Sequence, residues 1–228
     1  MSHLHIPDGV LPVWLWAPAL LVAVSLLVGS TRALLPAMPQ RVAYQGALGA
    51  LVLAAMAIEI PMGPFEYHLT LAGPIGVLLG AAAGFQVEFV ASTMLAFVGH
   101  GGLTVIGLNA LVLGTGVAFA RPVYRTLSRA RSQAFAMAGA TAVAQAVSGV
   151  LWLLVMAIGV RSRGWAPDAA GGPARLGLLA AIAFPMWLVG VLVEAAVGFG
   201  IARFLARVRP DLLPSVGDAD PRAVTRAA

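Results

Sequence analysis

Leu69 through Gly99 reads LTLAGPIGVLLGAAAGFQVEFVASTMLAFVG, and the reading of this stretch decides the architecture. A helix that crosses a bilayer takes about 20 mostly apolar residues, within a range near 17 to 25. Residues 69–99 are too many for one crossing, and Gly84 and Gln86 interrupt them. We expect two short helices, 69–84 and 86–99. Gly76, Gly80 and Gly84 recur every four residues, a small-residue stripe that lets helices approach closely.

Outward from this pair, apolar runs cover residues 13–30, 42–60, 103–120, 134–160 and 177–205, which makes seven spans. Composition agrees. Apolar residues make up 60% of the chain and charged ones 10%, with a mean hydropathy of +0.92, whereas soluble domains carry roughly 25% charge. The expected fold is an all-α integral membrane protein of about seven transmembrane helices. It forms a single transmembrane domain over residues 1–207. Residues 208–228, with Pro, Asp and Arg among them, are expected to be a disordered cytoplasmic tail.

The chain contains no lysine, and its positive charge is carried by arginine. A Walker A loop needs a lysine on the terminal phosphates, so any ATP hydrolysis must happen in a partner. With seven alternating spans, Arg32, Arg41, Arg121, Arg125, Arg129, Arg131, Arg203, Arg207, Arg209, Arg222 and Arg226 share one side. Arg161, Arg163 and Arg175 fall on the other. The positive-inside rule makes the first side cytoplasmic and places the amino terminus outside. Arginines at the ends of apolar runs serve topology, so no nucleic-acid partner is expected. Cysteine is absent, which excludes disulfides and thiolate metal sites. No cation precedes the first apolar run, so no cleaved signal peptide is expected.

On this topology all four histidines, His3, His5, His68 and His100, lie at the outer ends of helices or in outer loops. The chain opens Met1-Ser2-His3-Leu4-His5-Ile6-Pro7-Asp8-Gly9. A terminal amine, the next amide and an imidazole form a compact nitrogen set suited to Ni²⁺ or Cu²⁺. If Met1 is lost, Ser2 supplies the amine and His3 an amide and an imidazole; if Met1 stays, the amine, two amides and His3 complete a four-nitrogen set. The bland alternative is a solvated tail. Against it stands the turn sequence Ile6-Pro7-Asp8-Gly9, expected to hold the terminus against the protein.

His68 follows a segment broken by Pro61, Gly63 and Pro64, at the start of the third helix. It is a candidate ligand or a simple helix cap. Glu59 and Glu66 are candidate outer partners for an imidazole N–H, or interfacial charges. His100 sits in Gly99-His100-Gly101-Gly102-Leu103-Thr104, followed by Asn109, a buried amide that must find partners. Glu88 and Glu194 are membrane-embedded carboxylates whose default role is hydrogen bonding between helices.

These blocks together resemble the CbiM/NikM family, the cobalt- and nickel-specific membrane subunits of energy-coupling-factor importers. His5-Ile6-Pro7-Asp8-Gly9 ahead of a span resembles the family's amino-terminal signature. Ile60-Pro61-Met62-Gly63 through His68-Leu69 resembles its proline–glycine segment. Gly101-Gly102-Leu103-Thr104 with Gly107 and Asn109 resembles its Gly-Gly-Leu-Thr block, and Arg207-Val208-Arg209-Pro210-Asp211-Leu212-Leu213 its carboxy-terminal end. The resemblance implies a subunit without a prosthetic group that captures Co²⁺ or Ni²⁺ at the outer face of the cell membrane. It implies a metal held by the terminal amine, the amide and imidazole of a nearby histidine, and His68. It also implies partners: a transmembrane coupling subunit and cytoplasmic ATPases.

The expected ligands are therefore Ser2, His3, His5 and His68, with Glu59, Glu66, His100 and Asn109 around them. Motif alignment selects His5 as the amine-linked histidine, whereas spacing from the amine selects His3, which we favour. His100 departs from the family pattern, in which an acidic residue or none is expected there. An intramembrane metallo-enzyme would need an open coordination position for water, which a full nitrogen set denies. A stand-alone secondary transporter is the other alternative.

Overall fold

The computed structural model describes residue 6 and residues 8–58, 60–62, 65–162 and 172–214. Six α-helices carry the fold: α1 Val13–Leu34, α2 Met38–Met56, α3 Ala72–Phe97, α4 Ile106–Leu127, α5 Gln133–Ser162 and α6 Gly172–Val208. A short 3-10 turn, Leu35–Ala37, joins α1 to α2. Five of the six helices are long and apolar enough to cross a membrane. The exception is α2, whose apolar part is only Arg41–Met56. Large apolar side chains such as Leu21, Val22, Phe135, Leu192 and Phe204 point outward, as lipid-facing helices require. The chain is a multi-pass membrane protein.

Among the described residues, the stretch between α2 and α3 carries the one pair of strands. Strands β1 Ile60–Met62 and β2 Phe65–Tyr67 pair antiparallel, with Ile60 opposite Tyr67 and Met62 opposite Phe65. α2 thus ends at Met56, before Pro61, and Pro61 lies within β1 of this small hairpin.

The expected break at Gly84 and Gln86 is corrected to Gly80. Gly80 has φ 80° and ψ 176°, while Gly84 and Gln86 are both helical. Glycine reaches that conformation without the Cβ penalty that other residues meet. Straight, 26 residues of helix would run about 39 Å. Instead the chain folds back: Leu71 and Leu95 share one apolar cluster, and a Cβ on Gly84 would touch Ile75 at 3.4 Å. α3 is therefore two antiparallel half-helices. Gly76 and Gly84, on opposite halves, both lie against Val117 of α4 and leave no room for a side chain. That is the close approach the glycine stripe implied, with its middle glycine used as the bend.

Breaking a helix frees backbone carbonyls, which are costly to leave bare in an apolar interior. Arg121 of α4 answers this. Its Nε donates to Val77 O at 2.9 Å and its Nη2 to Leu78 O at 2.9 Å.

α3, α4, α5 and α6 pack in sequence order, α2 lies on α3, and α1 lies across α3 and α4. Val52 and Met56 of α2, both halves of α3 and Leu113 of α4 form one core; Tyr124, Met137, Ala140 and Ala202 centre another. The stretch expected as a tail starts with structure. Pro210–Leu212 forms a 3-10 turn, and Leu213 is buried in the second core beside Tyr124. Residues 215–228 lie outside the described residues.

Candidate metal-binding site

Folding α3 back brings its two flanks together. The His68 and His100 ring centroids lie 5.6 Å apart, edge to face at 89°. His68 is buried and His100 half-buried.

The backbone around His100 is set by how α3 ends. Gly99 takes φ 87°, its N–H donates to Ala96 O at 3.2 Å, and the His100 N–H reaches back to Leu95 O at 2.8 Å. This pair of bonds is the Schellman closure that a left-handed glycine makes at a helix carboxyl end.

The same loop receives the amino-terminal segment. The Ile6 N–H donates to Asn109 Oδ1 at 2.8 Å, and Asn109 Nδ2 donates back to Ile6 O at 3.2 Å. Gly102 N–H donates to Ile6 O at 3.0 Å. The Ile6 side chain is fully buried, in a cluster with Leu11, Val105, Leu108 and Val155. Two residues on, the Asp8 carboxylate accepts the Leu103 and Thr104 N–H groups at 2.8 and 2.9 Å, and the Thr104 hydroxyl as well. The Thr104 hydroxyl bond is the largest influence on the Asp8 pKa; burial opposes it, and with the Thr104 and Leu103 amides added the pKa stays below its ordinary value. Gly102 has no alternative, because a Cβ there would run into the Asp8 backbone. Gly9 completes the turn with φ 78°. The expectation that this turn ties the terminus to the protein holds for residues 6 and 8–11.

His68 is placed by contacts from α5 and α6. Tyr67 Oη donates to Gly190 O at 3.0 Å and accepts from Gln145 Nε2 at 3.3 Å. Gly190 leaves the space that the Tyr67 ring fills. Burial, then the charge of Glu194, raises the Tyr67 pKa, so the phenol stays protonated. Two residues after His68, Thr70 donates through both its N–H and its hydroxyl to Glu194 Oε1, the latter at 2.9 Å. Glu194 was expected to hydrogen-bond to another helix; its partner is instead Thr70, in the segment between β2 and α3 that carries His68. Leu71 follows with φ 55°, a left-handed residue at the start of α3.

Of the expected ligands, His68 is brought to this end of the bundle. Of the surrounding residues, His100 touches His68 and Asn109 holds Ile6. Glu66 is placed on β2 opposite Pro61, its side chain outside the described residues. Ser2, His3, His5 and Glu59 lie outside the described residues. Among the described residues no three His, Asp or Glu side chains gather as a ligand set. Asp8 and Thr104 stood inside quoted motifs without a role, and their spacing of 96 residues hid the pairing. Nothing in the sequence singles out Thr70 or Gln145.

The family described as the cobalt uptake substrate-specific transmembrane region, CbiM, matches residues 5–212. The cobalt transport protein CbiM of Geobacter sulfurreducens is 27% identical over 227 residues, covering 95% of this chain and 63% of its own. The chain therefore spans less than two thirds of that relative's length. Two crystal structures, a transition metal transporter and a truncated form, match with a TM-score of 0.73 at 18% identity. Each covers 90% of this chain, with 93% of the full form and 99% of the truncated form aligned. At that identity the likeness is one of fold.

Proposed function

The chain belongs to the CbiM family, and from that premise we propose that it captures Co²⁺ or Ni²⁺ at the outer face of the membrane and passes it inward. It does so as the substrate-specific component of an ATP-driven importer. The ATPases and a transmembrane coupling subunit are partners, since a chain without lysine has no Walker A loop. The metal-binding unit is residues 1–207, oriented by its arginines with the amino terminus outside. The ligands are Ser2, through its amine where the mature chain begins there, with His3, His5 and His68.

The observation that carries this reading is the seating of Ile6. Asn109 and Gly102 hold its backbone on the loop that presents His100, and His100 touches His68. Ile6, to which the amino-terminal residues are covalently joined, is thereby fixed on the loop whose His100 touches His68. Three or four nitrogens within one short peptide, closed by a distant imidazole, make a chelate that needs little further ordering.

The test is calorimetry of the purified protein with Co²⁺ and Ni²⁺, together with the intact mass of the chain, which reports whether the amine belongs to Ser2. Binding of either ion, weakened when the amino terminus is acetylated or extended, supports the reading. Absence of binding to both ions overturns it. Uptake in cells that persists without partner ATPases would make the protein a stand-alone transporter.

A further inference from the structure

Glu88, on the second half of α3, is fully buried, and among the described residues neither of its carboxylate oxygens has a hydrogen-bond partner. The bond between helices expected of it is therefore not made. Gly84, Glu88 and Ser92 recur every four residues and share one face of the helix. A Cβ on Gly84 would meet Ile75 and Val117, so this face looks into the seam between the two halves of α3 and α4. Ser92 is 2% exposed, and its hydroxyl likewise has no partner among the described residues. Glu194 borders the same region. Its Oε1 takes both Thr70 donors, while its Oε2 is buried without a hydrogen bond among the described residues. Leu71 beside Thr70, Val197 one turn from Glu194, and Val87 and Ala91 on either side of Glu88 all belong to or pack on one core. The charges of Glu88 and Glu194 act on each other.

A buried carboxylate is costly unless it is paired, and one inside a membrane protein marks a functional position by default. The partner that suits two such carboxylates is a cation, and one divalent ion balances both charges. We propose that Glu88 and Glu194, with the Ser92 hydroxyl, form a second divalent-cation site inside the bundle, which the transported ion occupies after it leaves the His68 end. Only the order of the two positions rests on the proposed function; the interior site uses no amino-terminal residue. Carboxylate and hydroxyl oxygens suit Co²⁺ and Ni²⁺ less well than imidazole does. A passing ion needs a position weak enough to leave. Thr70 links the two positions, since His68 lies two residues before it and Glu194 accepts its hydroxyl at 2.9 Å.

Equilibrium dialysis of the purified full-length protein in detergent counts the Co²⁺ bound. Electron paramagnetic resonance reports Mn²⁺, an ion that favours oxygen ligands. The expected result is two Co²⁺ per chain, one tight and one weak, with Mn²⁺ on the weak site alone. Glu88→Gln should weaken Mn²⁺ binding by about tenfold or more and keep the tight Co²⁺; Ser92→Ala should weaken Mn²⁺ binding by less. His68→Ala should do the reverse, losing the tight Co²⁺ and retaining Mn²⁺. One Co²⁺ per chain with no bound Mn²⁺ overturns the proposal, as does unchanged Mn²⁺ binding in folded Glu88→Gln. If Glu88→Gln does not fold, unchanged Mn²⁺ binding in Ser92→Ala overturns it instead. Bound Mn²⁺ without any tight Co²⁺ overturns the proposed function and leaves the interior site standing, so the two failures are distinguishable.

Discussion

The side-chain amide of Asn109 pairs with Ile6 as a neighbouring strand would, accepting the Ile6 N–H at 2.8 Å and donating to the Ile6 carbonyl at 3.2 Å. Both groups are buried. One residue on α4 thereby sets where the amino-terminal segment enters the protein. Asn109→Ala leaves the buried Ile6 N–H without an acceptor, which costs about 1–3 kcal/mol. Hydrogen exchange at Ile6 should quicken, and calorimetry should show weaker metal binding with the bundle still folded. Unchanged exchange would mean the segment is held elsewhere.

His68→Ala should weaken metal binding at least tenfold, about 1.4 kcal/mol, and by more than Asn109→Ala does. The imidazole is a ligand in the proposed site, whereas Asn109 holds only the backbone that leads to it. His3→Ala should resemble His68→Ala, with His5→Ala milder. A severe His5 defect beside a mild His3 defect would assign the amine-linked chelate to His5.

Asp8 predicts a pH dependence. Hydrogen bonds hold its folded pKa below the ordinary value of 3.8. A depressed pKa contributes stability that is present above the unfolded value and lost as pH falls through the folded one. The Asp8 contribution to anchoring residues 6–11 should therefore be constant from neutral pH down to about 4 and vanish at more acid pH. Asp8→Asn should remove this acid transition, read as amide exchange at Leu103 and Thr104 against pH. A transition of the same size in Asp8→Asn would assign it to another group.

Glu194 holds Thr70, two residues from His68. Glu194→Ala removes the acceptor of two Thr70 donors, and each buried donor left without a partner costs about 1–3 kcal/mol. Thermal stability and metal affinity should both fall. Glu194→Gln keeps an acceptor oxygen and should restore affinity more than stability. Full affinity in Glu194→Ala would show that the Thr70 bonds do not position His68.

Gly80→Ala puts a Cβ on a residue at φ 80° and 3.1 Å from Arg121 Nη1. With ψ at 176° this backbone region is essentially confined to glycine, and the strain alone is about 1–3 kcal/mol. The unfolding temperature in detergent should drop, and the drop should exceed that of Gly84→Ser only if the bend rather than the packing against Val117 limits the fold. Arg121→Leu should also destabilise, since it bares the Val77 and Leu78 carbonyls.

The sequence by itself determined the solvent and the family, but not the number of crossings: seven were expected, and five of the six helices are long and apolar enough to span. Runs near 20 residues without lysine or cysteine admit membrane helices and little else, and motif blocks from His5 to Leu213 name the relatives. It also marked His68, His100 and Asn109. It placed the bend in residues 69–99 at the wrong glycine. Glycines at 76, 80 and 84 look alike along the chain, and only packing decides which sits against Val117 and which takes the left-handed φ under Arg121. The bonds from Asn109 to Ile6, Asp8 to Thr104 and Glu194 to Thr70 span 103, 96 and 124 residues. No periodicity or spacing rule reaches across such separations. They exist because the doubled-back α3 brings both of its flanks to one end of the bundle, and that closure is a property of the packed helices alone.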